Sequence, residues 1–275
     1  MYTDLFNEKM NILDTIIAEK RKEVEERKQL YPLKLLEKSL FFEGPCVSLK
    51  EYVLRNDKHG IIAEFKRKSP SKGMINEYAE VEKVSVGYMQ AGASALSVLT
   101  DEKFFGGSSK DLTLARKFNF CPILRKDFII DEYQIVEAKS IGADAILLIA
   151  SVLSSKDVLK LSEFAKSLGM QILLELHNEP EMDRINLFTE LVGINNRNLK
   201  DFTVDIDQSI NLADLIPADF VKVAESGISD AKTLVKLKNS GFQGFLIGER
   251  FMASSRPEMA CSDFIGELKK EPELN

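Results

Sequence analysis

Residues 142–177 read GADAILLIASVLSSKDVLKLSEFAKSLGMQILLELH. Ala145 opens an apolar run, AILLI. The stretch Lys156–Ser167 then spaces its apolar residues at helical intervals, and the Leu168-Gly169 step stops it. A second apolar run, ILLEL, starts at Ile172. Strand, amphipathic helix, strand is the sequence of a parallel unit closed by a right-handed crossover.

The pattern recurs on both sides. Apolar runs begin near Ile61 (IIAEF), Ala95 (ALSVL), Pro122 (PIL), Ala145, Ile172, Leu191 (LVGI), Val221 (VKVA) and Gly244 (GFLI), eight in all. Further amphipathic stretches are Val81–Gln90, Tyr133–Ser140 and Ala231–Asn239, and several end in an Ala-Gly, Ile-Gly or Ser-Gly step. An open doubly wound sheet would use some of these units. Eight of them, without a switch in order, favour an α/β chain closed into a (β/α)8 barrel.

Upstream, Asn11 to Lys28 predicts one amphipathic helix, with Ile12, Leu13, Ile16, Ile17 and Val24 on the dry side and Glu19 to Glu23 on the wet side. Tyr31-Pro32 ends it, a short helical stretch follows around Leu33 to Leu40, and Gly44-Pro45 breaks the chain again. This segment carries too little apolar area to fold alone. The expected division is residues 1–50 as an N-terminal helical extension and residues 51–275 as the barrel.

The 275 residues are 44% hydrophobic, enough for a full core in one large domain. A net charge of −6 argues against nucleic acid or an anionic membrane as partner, and any anionic ligand must find local counter-charge. Cys46, Cys121 and Cys261 are far apart, no CxxC pair occurs, and the two histidines are His59 and His177. Neither a disulfide framework nor a zinc site is expected, and reduced thiols fit the cytoplasm. Met1 to Lys9 has no signal-peptide core, and no stretch approaches the length of a membrane span.

In a parallel barrel the chemistry gathers at the C-terminal ends of strands. After the first run comes AEFKRKSPS, and alternation puts Glu64 and Lys66 on the inward face of Ile62, with Ile61, Ala63 and Phe65 facing the helices. The same test gives Lys126 on the Leu124 face, Glu175 and His177 on the Leu173 face, Asn195 with Arg197, and Glu225 at the end of the seventh run. One such residue is more often solvated or half of a structural ion pair; five strand ends converging on one rim form a site. Ser226-Gly227 and Gly248 occupy the loops after strands seven and eight, where barrels often hold phosphate on backbone N–H groups. Taken singly, each is also an ordinary tight turn.

The runs IIAEFKRKSPS, LTDEKFFGGS, LRKDFIIDEYQ, GADAILLIAS, GINNRNL, AESGI and FLIGERFM, in this order from Ile61 to Met252, resemble indole-3-glycerol-phosphate synthases, as does the opening ILDTIIAEKRKEVEERK. The resemblance covers nearly the whole chain. It implies a cofactor-free decarboxylating lyase of tryptophan biosynthesis. The substrate would be 1-(2-carboxyphenylamino)-1-deoxyribulose 5-phosphate, and the products indole-3-glycerol phosphate, CO2 and water. On the matching positions Lys126 is the general acid of ring closure and Glu175 the general base of dehydration. Glu64 and Asn195 orient substrate and stabilise charge, Lys66 sits by the carboxylate, and Glu225 and Ser226 form the site after strand seven. Ser69, Gly227 and Gly248 grip the phosphate, Arg197 lies at a matching binding position, and Phe105 and Phe128 wall the anthranilate ring. The extension is expected to cover the barrel mouth.

Two departures stand out: Ala224 where many relatives carry serine, and Glu249 where a small residue is common. A carboxylate facing the anion would repel it, so Glu249 is expected to point away, and His177 is expected to support a neighbour. The nearest rival, phosphoribosylanthranilate isomerase, would want a cysteine base after strand one, where Glu64 and Lys66 stand. A catalytically dead binding subunit would not need Lys126, Glu175 and Glu64. The expected partner is a phosphorylated small molecule. The chain stops near Asn275 without an appended second enzyme, so a monofunctional form, compatible with a monomer, is expected.

Overall fold

Eight strands carry the apolar runs: β1 Ile61–Phe65, β2 Ala95–Leu99, β3 Ile123–Lys126, β4 Ala145–Ile149, β5 Gln171–Leu176, β6 Leu191–Asn195, β7 Val221–Glu225 and β8 Gly244–Ile247. All pairings between them are parallel, and β1 pairs with both β2 and β8, so the sheet closes into a barrel. The computed structural model describes residues 11–198 and 202–271. The leaderless stretch expected at Met1 to Lys9 lies outside them. Among the described residues no helix is long and apolar enough to cross a membrane.

Alternation sorts the strand residues as expected. Ile61, Ala63, Phe65, Ile123, Ile146, Leu148, Ile172 and Leu174 join the cluster between strands and helices. Ile62, Leu124, Leu147, Leu173, Val223 and Leu246 point inward and fill the barrel. Below them Leu49 and Val53, on the short helix Leu49–Val53, belong to the same inner cluster and plug the N-terminal end. Val47 N–H donates to Asp144 Oδ1 at 2.8 Å, and Lys50 N–H donates to Gln171 Oε1 at 3.0 Å, which ties this plug to the starts of β4 and β5.

Around the barrel run α1 (Ile12–Leu30, before the strands), α2 (Val81–Ala91), α3 (Ser109–Phe118), α4 (Glu132–Ser140), α5 (Ser155–Ser167), α6 (Ile206–Ala213), α7 (Ala231–Asn239) and α8 (Pro257–Leu268). Side-chain caps from Ser108, Asp131, Ser154, Asp205 and Asp230 start five of them. Gly92 and Gly142, with φ of 110° and 97°, follow the ends of α2 and α4 in the left-handed region the sequence steps implied. The unit after β5 departs from the pattern, because its connection is a 3₁₀ helix, Glu179–Arg184, with proline in its first turn.

α1 corrects one expectation. Glu19 to Glu23 is not a uniformly wet stretch: the buried residues of the helix are Ile16, Lys20 and Val24, and Lys20 is 1% exposed. These stand at i, i+4 and i+8, so the dry stripe runs straight through a lysine. Carboxylates on the barrel rim make that possible, as described below.

Candidate active site

One cavity of about 470 Å³ opens at the C-terminal end of the barrel. Glu64, Lys66, Ser69, Phe105, Lys126, Phe128, Glu175, Asn195, Arg197, Glu225, Ser226, Gly227 and Gly248 all line it. The strand register explains the convergence. Glu175 lies beside Gly193, and Asn195 beside Glu225, while Lys126 ends β3. All of these face inward, so side chains from distant parts of the chain meet over the apolar floor.

At the centre is an ammonium. Lys126 Nζ donates to Glu175 Oε2 at 2.9 Å and to Glu225 Oε2 at 2.5 Å. Burial by itself would drive the proton off, but the carboxylates of Glu175, Glu225 and Glu64 hold Lys126 protonated well above its ordinary range. Burial also pushes Glu175 up, yet Lys126 and His177 outweigh it and keep that carboxyl below its usual range. For Glu225 burial wins, helped by the nearby Glu175 charge, and its pKa is raised despite Lys126. Glu225 Oε1 is buried without a hydrogen-bond partner among the described residues. The room it occupies exists because residue 193 is glycine: a Cβ there would strike that oxygen.

Neighbours fix the cluster. Asn195 Nδ2 donates to Glu175 Oε1 at 3.2 Å, and the His177 ring lies 3.3 Å from the same oxygen through Nε2. His177 lies against Glu175 as a neighbouring polar group, not as a hydrogen-bond donor, since neither ring nitrogen has a hydrogen-bond partner among the described residues, and Glu181 lies 3.8 Å from its Nδ1. Lys66 is ion-paired with Glu64 on the opposite side of the mouth.

The cavity has two unlike ends. At one, Phe105 and Phe128 stand with ring centroids 5.9 Å apart, and Ile12, Leu13 and Ile16 of α1 close over them with Leu147 and Ile149. At the other, Ser226 and Gly227 are both left-handed, with φ of 68° and 73°, and Asn196 Nδ2 holds the Ser226 carbonyl at 2.6 Å. A non-glycine residue there is strained, and such strain concentrates at functional sites. Arg197 reaches the same end, donating to Ser71 Oγ at 3.3 Å and to Glu249 Oε2 at 3.0 Å.

That last bond overturns the expectation for Glu249. Its carboxylate does not point away: it lines the cavity, paired with Arg197 and 3.6 Å from Lys72. Gly248 also has a second reason to be glycine. Its φ is −127°, and a Cβ there would run into the Glu64 carboxylate, so its role is clearance for the ion cluster as well as backbone approach.

Sequence comparison shows the family. The family model described as indole-3-glycerol phosphate synthase matches residues 13–264. The chain belongs to the indole-3-glycerol phosphate synthase family. It is 48% identical to the indole-3-glycerol phosphate synthase of Bacteroides thetaiotaomicron over 94% of this chain and 99% of that one. It is 41% identical to that of Campylobacter fetus subsp. fetus over 93% of this chain and 100% of the other. Among solved structures, a mutant tryptophan synthase α-subunit from Pyrococcus furiosus superimposes with a TM-score of 0.61 at 13% identity, covering 78% of this chain and 99% of that one, which is a likeness of fold.

Reading by strand ends found the titratable centre of this family member but passed over Ile12, Leu13, Ile16 and Gly193. The first three were legible as the dry face of α1, and the resemblance had the extension cover the mouth without saying which of its residues reach the cavity. Gly193 carried the signal of a glycine inside a strand, which often marks a close approach.

The raised Glu225 pKa has a measurable consequence. An acid whose pKa is raised in the fold contributes stability that is fully present below its unfolded-state pKa and is lost as pH rises through the folded one. Glu225→Gln removes that ionisation. Its melting temperature relative to wild type should therefore be more favourable at pH 8 than at pH 5, by thermal unfolding at both values; the opposite ordering would show Glu225 to be an ordinary, stabilising carboxylate.

Proposed function

We propose that this chain catalyses the decarboxylating ring closure of 1-(2-carboxyphenylamino)-1-deoxyribulose 5-phosphate to indole-3-glycerol phosphate, with release of CO2 and water, in tryptophan biosynthesis. The observation that carries this reading is a buried lysine, paired with Glu175 and Glu225, in a cavity with the Phe105–Phe128 pair at one end and Arg197 with the Ser226-Gly227 turn at the other. The substrate has the same polarity: an aryl carboxylate at one end, a phosphate at the other, and a carbonyl between them.

In this reading the anthranilate ring lies between Phe105 and Phe128 under α1, with its carboxylate near Lys66. The ring carbon that bears the carboxylate attacks the ribulose carbonyl, and Lys126 gives its proton to the developing alkoxide. Loss of CO2 then restores aromaticity. Once Lys126 is neutral, the charge that held Glu175 down is gone and that carboxylate becomes a stronger base. Glu175 accepts the proton lost from the ring carbon beside the hydroxyl and returns it to the departing hydroxyl, which leaves as water, and Lys126 then regains its proton from solvent. Glu64 and Asn195 hold the groups in line, and Glu225 and Ser226 flank the reacting carbons. The two steps are thereby linked through one salt bridge.

The phosphate is assigned to Arg197, the Ser69 hydroxyl and the backbone at Gly227 and Gly248. Glu249 then acts as a stand-in anion that neutralises Arg197 until the phosphate displaces it. The free thiols of Cys46, Cys121 and Cys261 suit a reducing cytoplasm.

Lys126→Met keeps the length of the side chain and removes the proton, and should lower turnover by about 10²–10⁴-fold. Glu175→Gln should let ring closure proceed and stall dehydration, so rapid-quench analysis should find a bound intermediate that has lost CO2 and kept its hydroxyl. Normal CO2 release by the Lys126 variant, or wild-type turnover without an intermediate in the Glu175 variant, would contradict the assignment.

Glu249→Gln should make inorganic phosphate a tighter competitive inhibitor by about two- to five-fold, the size of a partly exposed ion pair. Arg197→Met should weaken the same inhibition. An inhibition constant indifferent to both changes would move the phosphate elsewhere.

A further inference from the structure

An ammonium inside the dry stripe of a helix is costly unless it is fully paired. Lys20 is such a group, enclosed between Ile16 and Val24 on the barrel side of α1. Its Nζ lies 3.0 Å from Asp101 Oδ2, 3.0 Å from Asp127 Oδ1 and 2.7 Å from Glu23 Oε2. Glu23 belongs to α1 itself. The other two carboxylates belong to the barrel rim, just beyond the ends of β2 and β3.

Each rim carboxylate already holds a wall of the cavity. Asp101 Oδ1 accepts the backbone N–H groups of Phe104 at 2.8 Å and Phe105 at 3.3 Å, fixing the short helix that presents Phe105. Asp127 directly follows Lys126. Its Oδ1 accepts the Phe128 N–H at 2.8 Å, and its Oδ2 accepts Thr100 Oγ1 at 2.5 Å and Arg125 at 3.0 Å. One ammonium delivered by α1 therefore spans the supports of both aromatic walls and of the strand end bearing Lys126. Two turns further along, Arg27 pairs with Glu137, whose other oxygen holds Arg125 at 2.7 Å. The helix is thus joined at two points to the residues on either side of Lys126.

We propose that Lys20 is a positioning residue for ring closure: by bridging Asp101 and Asp127 it seats α1 over the cavity and sets Phe105, Phe128 and Lys126 in one arrangement, so that closing the lid and assembling the site are a single event. The proposal rests on the ring-closure reading above. Lys20 does not line the cavity, and it acts through its two aspartates. Burial works against its charge, but the three carboxylates keep it protonated above its ordinary range, so the bridge persists across any neutral assay.

A mere brace would cost stability and leave the kinetics of folded enzyme untouched. Lys20→Met keeps the apolar stem and removes the charge. Assayed well below its melting temperature, it should lose about 10–100-fold in kcat/KM, the scale of a small misplacement of reacting groups. The loss should be shared between a lower kcat and a higher KM, and the amides of α1 should exchange faster with deuterium. Lys20→Arg, which keeps the charge, should recover part of kcat. If the Met variant does not fold, Lys20→Met with Asp101→Asn, which removes one charge of each sign, serves the same comparison. Wild-type kcat and KM in either folded variant would overturn the proposal, whatever α1 does. Should wild-type enzyme give no indole product, the ring-closure reading fails on its own, and the seating role stands or falls on the exchange difference.

Discussion

The contact between the Lys126 ammonium and the carboxylates of Glu175 and Glu225 is the constraint around which the rest of the structure is arranged. A buried ammonium without counter-charge would be expelled or deprotonated. Two buried carboxylates without a cation would not both ionise. Each group is tolerable only because the others are present, and they are present only because the barrel is closed. Lys126 comes from β3, Glu175 from β5 and Glu225 from β7. No local segment could assemble them. Parallel pairing with inward alternation brings the three strand ends to one rim, and the apolar floor of Ile62, Leu124, Leu173 and Val223 below denies them water.

The same low-dielectric floor divides labour within the cluster. Burial pushes both glutamates up, yet they end on opposite sides of the usual range, because Lys126, His177 and Asn195 together outweigh burial at Glu175, whereas at Glu225 the Glu175 charge adds to burial and Lys126 does not offset the two. In the proposed mechanism one salt bridge serves two steps: the proton leaves the lysine first, and its departure raises the basicity of Glu175, the carboxylate used next. The network continues outward. Asp127 links the strand end that bears Lys126 to Arg125 and to Lys20, so the ionic order of the site reaches the helix that covers it.

Much of this was legible from periodicity. Eight apolar runs and their glycine-stopped helices gave the barrel, and simple alternation put Glu64, Lys66, Lys126, Glu175 and Asn195 on the inner face. What escaped depended on partners remote in sequence. Lys20 sits in a run of charges, and nothing local distinguishes it from Arg21 and Lys22, which are exposed. Only its spacing from Ile16 and Val24 hinted at burial, and the aspartates that permit it lie on two later strand ends. Glu249 was judged by its repulsion of an anion, when its attraction to Arg197 decides its direction. The missing α-helix after β5 follows from a proline-bearing acidic turn, Glu179-Pro180-Glu181, whose shortness no hydrophobic period reveals.

The central claim, that the carboxylate cluster keeps Lys126 a proton donor, can be read directly by NMR of side-chain-labelled lysine, with Lys126→Met used to assign the signal. The account predicts that the Lys126 resonance stays that of an ammonium up to and beyond pH 10.5, the ordinary lysine value, while exposed lysines titrate. A Lys126 signal that titrates to the neutral amine below that value would contradict it, and the acid of ring closure would have to be sought elsewhere in the site.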